Sequence, residues 1–119
     1  MTDRQFTPLE HAVLKAVCEG NPSDRTALDA QLSSAIVHKR ENTGAGFFTY
    51  FEVKRDPGGC ISGEPRRSGP DANIEGLQRG MGFILWLNEG YASCLEGFSY
   101  EESTTAIDYN TVSFELKRG

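Results

Sequence analysis

Residues able to do covalent or acid–base chemistry are scattered thinly through the 119 positions: Cys18, Cys60 and Cys94, His11 and His38, and 17 carboxylates against 12 Lys and Arg. A cysteine attacks at neutral pH when an imidazole and an orienting group stand beside it, so Cys94 with His38 or His11 is the pairing to weigh. No local spacing supports it. Cys94 lies inside an apolar run, where cysteine behaves as a small core residue, and His38 alternates with Ile36 and Arg40 as a packed or surface side chain would. Two histidines, and three cysteines without a C-x-x-C pair, suggest neither a zinc site nor a disulfide framework, so no metal and no cofactor is expected. Gly44-Ala45-Gly46 could offer amides to an anion, but it joins two strand-like segments and reads as a hairpin turn.

A polar constellation carries more. Arg40, Glu41 and Thr43 cluster at the end of one alternating segment, and Glu96 and Tyr100 near the end of another. If the two ends adjoin, Arg40 pairs with Glu96 and a polar network forms against Trp86 or Phe98. Arg40, Glu41, Thr43, Trp86, Glu96 and Tyr100 are therefore the candidate binding residues, with structural glue as the competing reading. No catalytic residue is assigned.

Those side chains can meet only on a sheet in which residues 82–98, the densest apolar run, are central. Asn88-Glu89-Gly90 interrupts that run as a three-residue turn, a type I turn closed by a left-handed glycine. The turn predicts Leu87 opposite Tyr91, Leu85 opposite Ser93 and Phe83 opposite Leu95 on one face, with Trp86 opposite Ala92 and Ile84 opposite Cys94 on the other. Both faces are apolar, so the hairpin should be covered on both sides, or covered on one and used for contact on the other. Glu96 falls on the Trp86, Cys94 and Phe98 face, where an unpaired carboxylate is costly and a donor or solvent opening should lie beside it.

Upstream, Thr7-Pro8-Leu9-Glu10 supplies an N-cap, a first-turn proline and a capping-box glutamate, predicting a helix over 8–19 stopped by Gly20. Asn21-Pro22-Ser23-Asp24 opens a second helix over 22–34. A DNA-binding helix pair is rejected, because the second helix carries Arg25 alone against Asp24 and Asp29. Alternation then runs from Ile36 to Glu41, and Phe47, Thr49, Phe51 and Val53 face away from Phe48, Tyr50 and Glu52. Residues 55–71 are too rich in Gly and Pro for a core element and should form a flexible loop carrying Arg66 and Arg67. Short strands near 72–75 and 111–116 follow.

The fold class expected is α+β, a single domain over 1–119 with an N-terminal helical hairpin packed on a mostly antiparallel five- or six-stranded sheet spanning 36–116. A net charge of -5 and a pI near 5.0 argue against nucleic acid or an anionic membrane as partner. Glu89, Glu96, Glu101, Glu102 and Asp108 fall between residues 88 and 108 without a Lys or Arg, an acidic run suited to a basic protein. No apolar signal segment opens the chain and no run reaches membrane-spanning length, so a soluble, unprocessed, cytoplasmic protein is expected.

Arg40-Glu41-Asn42-Thr43-Gly44-Ala45-Gly46-Phe47-Phe48-Thr49, and Gly82-Phe83-Ile84-Leu85-Trp86-Leu87 followed by Gly90 and Leu95-Glu96-Gly97-Phe98-Ser99-Tyr100, resemble two hallmarks of a widespread family of small uncharacterised bacterial proteins. The likeness spans most of the chain, including the Thr-Pro-Leu helix start. Members of this type often follow the final Tyr with an acidic segment containing Trp-Pro, where this chain has Glu101-Glu102-Ser103-Thr104. The resemblance implies a bacterial cytoplasmic protein and brings no catalytic residues with it.

The function expected is a non-enzymatic binding or protein-interaction module, because the sheet has more apolar face than two short helices can cover. An immunity-type protein for a basic partner is one form, and a homodimer another. The alternative is a small-molecule binder or enzyme with a pocket around Glu96, Arg40 and Trp86.

Overall fold

The computed structural model describes residues 5–117; residues 1–4, expected to lead straight into the first helix, lie outside them. Helix α1 (Pro8–Glu19) starts at Thr7, whose hydroxyl accepts the Glu10 N–H at 3.2 Å while the Glu10 carboxylate accepts the Thr7 N–H at 2.8 Å. The capping box thus satisfies two otherwise orphaned donors. Leu9, Val13, Leu14, Val17 and Cys18 form its buried stripe. Helix α2 (Arg25–Ser33) is shorter than expected, because residues 22–24 form the turn that reverses the chain.

Seven strands follow among the described residues: β1 (Ile36–Asn42), β2 (Gly46–Glu52), β3 (Arg66–Ser68), β4 (Ala72–Ile74), β5 (Met81–Asn88), β6 (Tyr91–Ser99) and β7 (Phe114–Leu116). They pair antiparallel in the order β1-β2-β6-β5-β4-β7, with β3 also on β5. The class is α+β, with the β5–β6 hairpin central. Both helices pack on the face carrying Phe47, Phe51, Phe83, Leu85 and Leu95. The molecule measures 41 × 37 × 19 Å, and its thin dimension holds one sheet and one layer of helix.

The central turn corrects the expected register. Glu89 (φ 54°) and Gly90 (φ 87°) are both left-handed, so the loop has two residues and Asn88 pairs with Tyr91. Two positive φ values give the turn whose twist matches the strands it joins. Ser93 then bulges out, and beyond it Trp86 faces Cys94, Leu85 faces Leu95 and Ile84 faces Glu96. The bulge restores the apolar alternation that the shorter turn would have broken, so Glu96 still shares a face with Trp86, Cys94 and Phe98.

Residues 55–71 are docked rather than free. A 3-10 turn at Pro57–Gly59 leads to Ile61, which is buried and donates its N–H to the Gly90 carbonyl at 2.9 Å, and β3 pairs with β5. Arg67 donates to Asp24 Oδ2 at 3.3 Å and to the carbonyls of Ser62 and Glu64, which holds this return path on α2. Gly and Pro set backbone direction here and leave the docking to neighbours distant in sequence. Gln31 of α2, also buried, accepts the Ala92 N–H at 2.8 Å and donates to the Gly90 and Gly59 carbonyls, bolting the helix to the hairpin end.

Candidate functional site: the open face of the sheet

The six candidate residues do not converge on one site. Arg40 stands opposite Thr49 in the β1–β2 ladder, on the helix-covered face, whereas Glu96 stands opposite Phe48 and Ile84 on the other. The expected Arg40–Glu96 pair is overturned, because the sheet separates them. Arg40 instead grips Glu10 of α1 with Nη2 to Oε1 at 2.8 Å and Nε to Oε2 at 3.1 Å, and reaches the Gln5 carbonyl at 2.7 Å. Glu10, 1% exposed, also accepts the Thr49 hydroxyl and the Thr7 N–H. This bidentate pair fastens α1 to the sheet. Side chains alternate along a strand, so neighbouring Arg40 and Glu41 point to opposite faces.

On the open face, Glu41, Phe48, Glu96, Ile84 and Ser68 follow one another across β1, β2, β6, β5 and β3. The next row is Lys39, Tyr50, Cys94, Trp86 and Arg66. The Phe48 and Tyr50 rings stack 5.9 Å apart, and Phe98 meets Tyr100 edge to face at 5.6 Å. Both of those rings lie over Gly82, where an added Cβ would come within 2.4 Å of the Phe98 ring and 2.7 Å of the Tyr100 hydroxyl. Phe48, Tyr50, Ile84, Trp86, Phe98 and Tyr100 are half-buried, while the helices lie on the opposite face. This plate was legible in part, since Phe48 and Tyr50 alternate away from the core and Phe98 shares the Trp86 face.

Glu96 sits within the plate. The Trp86 indole Nε1–H donates to Glu96 Oε1 at 3.0 Å, which supplies the donor that its position demands. Among the described residues no cation lies within ion-pairing distance of it. Burial, then Cys94, Glu41 and Glu96, raise the Tyr50 pKa, and burial followed by the Glu96 charge pushes the Cys94 thiol up to about 11. At neutral pH that thiol is protonated and a poor nucleophile.

The remaining candidates have local roles. Glu41 lies at the outer edge of the open face. Tyr100 donates its hydroxyl to the Asp71 carboxylate at 2.9 to 3.0 Å, and Thr43 accepts the Ala45 N–H at 3.2 Å within the β1–β2 turn. The acidic run is largely engaged too. Glu89 pairs with Arg55 and Glu101 with Arg79, and Glu102 accepts the backbone N–H groups of Gln78 and Arg79.

A cleft of about 530 Å³ opens where β2 and β6 stop pairing beyond Tyr50 and Cys94. Its lining includes His38, Glu52, Arg55, Tyr91 and Cys94, but none of Arg40, Trp86 and Glu96, so the pocket expected around those three is absent from this cleft. His38 and Cys94 do share it, with the thiol held protonated. Arg55 is occupied by Glu89 at 3.7 Å and by the Tyr91 ring at 5.0 Å.

No helix among the described residues is long and apolar enough to cross a membrane, and none of their His, Cys, Asp and Glu groups forms a cluster of three or more fit to hold a metal ion. No family model, curated protein or solved structure matches the chain.

Proposed function

We propose that this chain is a non-enzymatic protein-interaction module that docks a basic partner protein on the open face of its sheet. One observation carries the reading. Phe48, Tyr50, Ile84, Trp86, Phe98 and Tyr100 form an apolar and aromatic plate around the central strands, and both helices lie on the other side. A contiguous apolar surface with charges at its margin is what interaction sites present, and aromatic side chains are their usual anchors. The net charge of -5 steers a cationic partner toward it. An immunity-type role, covering a basic toxic protein, is the concrete form of this reading. The resemblance of residues 40–49 and 82–100 to a family of small bacterial proteins supports a bacterial, cytoplasmic setting. A protonated Cys94 thiol and an Arg55 already paired in the cleft favour binding over catalysis.

The test is affinity capture from a bacterial extract with wild type, a Phe48→Ser/Trp86→Ala double variant and a Lys15→Ala control on the exposed side of α1. Each captured protein is then purified and rebound. The expected result is a basic protein held by wild type and control and lost by the folded double variant. A folded double variant that keeps every partner sinks the reading, and a dimer of this chain that the double variant disrupts replaces the basic partner with a second copy.

A further inference from the structure

The plate has one charged position at its centre. Glu96 is flanked across the ladder by Phe48 and Ile84, and its Oε1 is held by the Trp86 indole at 3.0 Å. Its Oε2 has no hydrogen-bond partner among the described residues, and no cation pairs with it. This distinguishes it from Glu89, Glu101 and Glu102, whose carboxylates are engaged by Arg55, Arg79 and backbone amides. The charged groups nearest in the ladder are peripheral. Lys39 and Arg66 stand at the two ends of the neighbouring row and Glu41 at the end of its own, so the centre of the face carries one negative charge.

We infer that Glu96 is the receptor for one arginine side chain of the partner, whose guanidinium bonds the carboxylate while lying flat on the surrounding rings. The inference rests on the open-face reading and names the chemistry of what docks there. A half-buried carboxylate beside apolar side chains has lost part of its hydration, so a cation that completes it gains more than one at a solvated rim. The indole fixes the carboxylate in orientation before anything binds, which lowers the cost of ordering. Arginine fits better than lysine. Its planar fork offers paired donors to a carboxylate and stacks on aromatic faces, whereas an ammonium is a compact, strongly hydrated point charge. Rings of this face already take a cation, since Lys39 Nζ lies 5.7 Å from the Tyr50 ring centre.

Trp86 is the sole tryptophan of the chain, so its indole N–H gives a single nuclear magnetic resonance signal at the site itself. The probe is acetyl-Gly-Arg-Gly-amide, titrated beside its lysine and citrulline counterparts. The arginine peptide is expected to shift the Trp86 indole signal with a dissociation constant on the order of millimolar, the range for one anchoring side chain. The lysine peptide should bind more weakly, and the uncharged citrulline peptide should leave the signal in place. Glu96→Gln still accepts the indole N–H and so keeps the face intact, yet should bind the arginine peptide about tenfold less tightly for want of the charge-assisted bond. An unresponsive indole signal, equal binding of citrulline, or undiminished binding by folded Glu96→Gln each overturns the arginine site. The partner assay separates the two readings. If Phe48→Ser/Trp86→Ala loses the captured protein and Glu96→Gln keeps it at full affinity, the docking face stands and the arginine site falls.

Discussion

The indole of Trp86 and the carboxylate of Glu96 are diagonal neighbours on the uncovered side of the central hairpin, joined by a 3.0 Å hydrogen bond from Nε1 to Oε1. Trp86 faces Cys94 and Glu96 faces Ile84, so the pair bridges two rows of the ladder. A double-mutant cycle of Trp86→Phe and Glu96→Ala, each of which removes the bond, read by urea denaturation with circular dichroism, should give a coupling of about 1 kcal/mol. A coupling indistinguishable from zero would mean that the two groups do not restrain one another.

The Arg40–Glu10 pair is expected to matter for stability alone. Glu10→Ala takes the Glu10 carboxylate from the Arg40 guanidinium and the acceptor from Thr7 and Thr49, so it should cost about 3 kcal/mol in chemical denaturation. Partner capture by the folded fraction should be unchanged, because α1 lies behind the sheet. A loss below about 1 kcal/mol would remove this pair as the anchor of α1.

Gly82 keeps two rings in place. Its Cβ in Gly82→Ala would lie 2.4 Å from the Phe98 ring, so Phe98 and Tyr100 must swing away. Overpacking of this kind costs on the order of 1 to 3 kcal/mol, and the Tyr100 hydroxyl should separate from Asp71. Gly58→Ala is the control: the nearest atom to its Cβ is Asp56 Oδ1 at 3.8 Å, and its melting temperature should stay near that of wild type.

Glu102 gives the fold an acid-sensitive contact. Hydrogen bonds from the Gln78 and Arg79 backbone N–H groups hold its pKa below the ordinary 4.5. A carboxylate depressed in the folded state stabilises that state at pH values above its unfolded pKa, and the contribution disappears as the pH falls through the folded value. The melting-temperature gap between wild type and Glu102→Gln should therefore be present at pH 7 and begin to close below about pH 4.5. A gap that holds constant down to pH 2 would show that the ionised form is not preferred.

The cysteines should separate by accessibility and acidity. Cys60 is exposed, whereas burial, then the nearby Asp29, pushes the Cys18 thiol up to about 12, and burial followed by Glu96 pushes Cys94 up to about 11. Iodoacetamide at pH 7.5, followed by peptide mass mapping, should label Cys60 first and reach Cys18 and Cys94 only after denaturant is added. Early labelling of Cys94 would point to a thiolate and reopen its pairing with His38 in the cleft.

Short-range signals in the chain are specific. Thr7 and Glu10 announced the start of α1, the alternation of residues 47–53 separated core from open face, and the apolar run at 82–98 marked the central hairpin. Each depends on groups within a few residues of one another, whose geometry the backbone restricts. Glu96 needed a donor, and its place on the Trp86 face followed from the same alternation. The two-residue turn was less legible, because a left-handed Glu89 is uncommon and only the strand pairing and the Ser93 bulge reveal it.

What the amino-acid sequence determined by itself was the α+β class, the helical hairpin ahead of the sheet and the two faces of β2 and β5, whereas the bulges at His38 and Ser93 reset the faces of β1 and β6. Tertiary structure alone decided that Arg40 belongs to Glu10 and not to Glu96, that residues 55–71 dock through Ile61 and Arg67, and that both helices leave the Trp86 face open. Those choices join groups tens of residues apart. They follow from which surfaces fit and which charges find partners once the chain has closed on itself, and no local window contains that information.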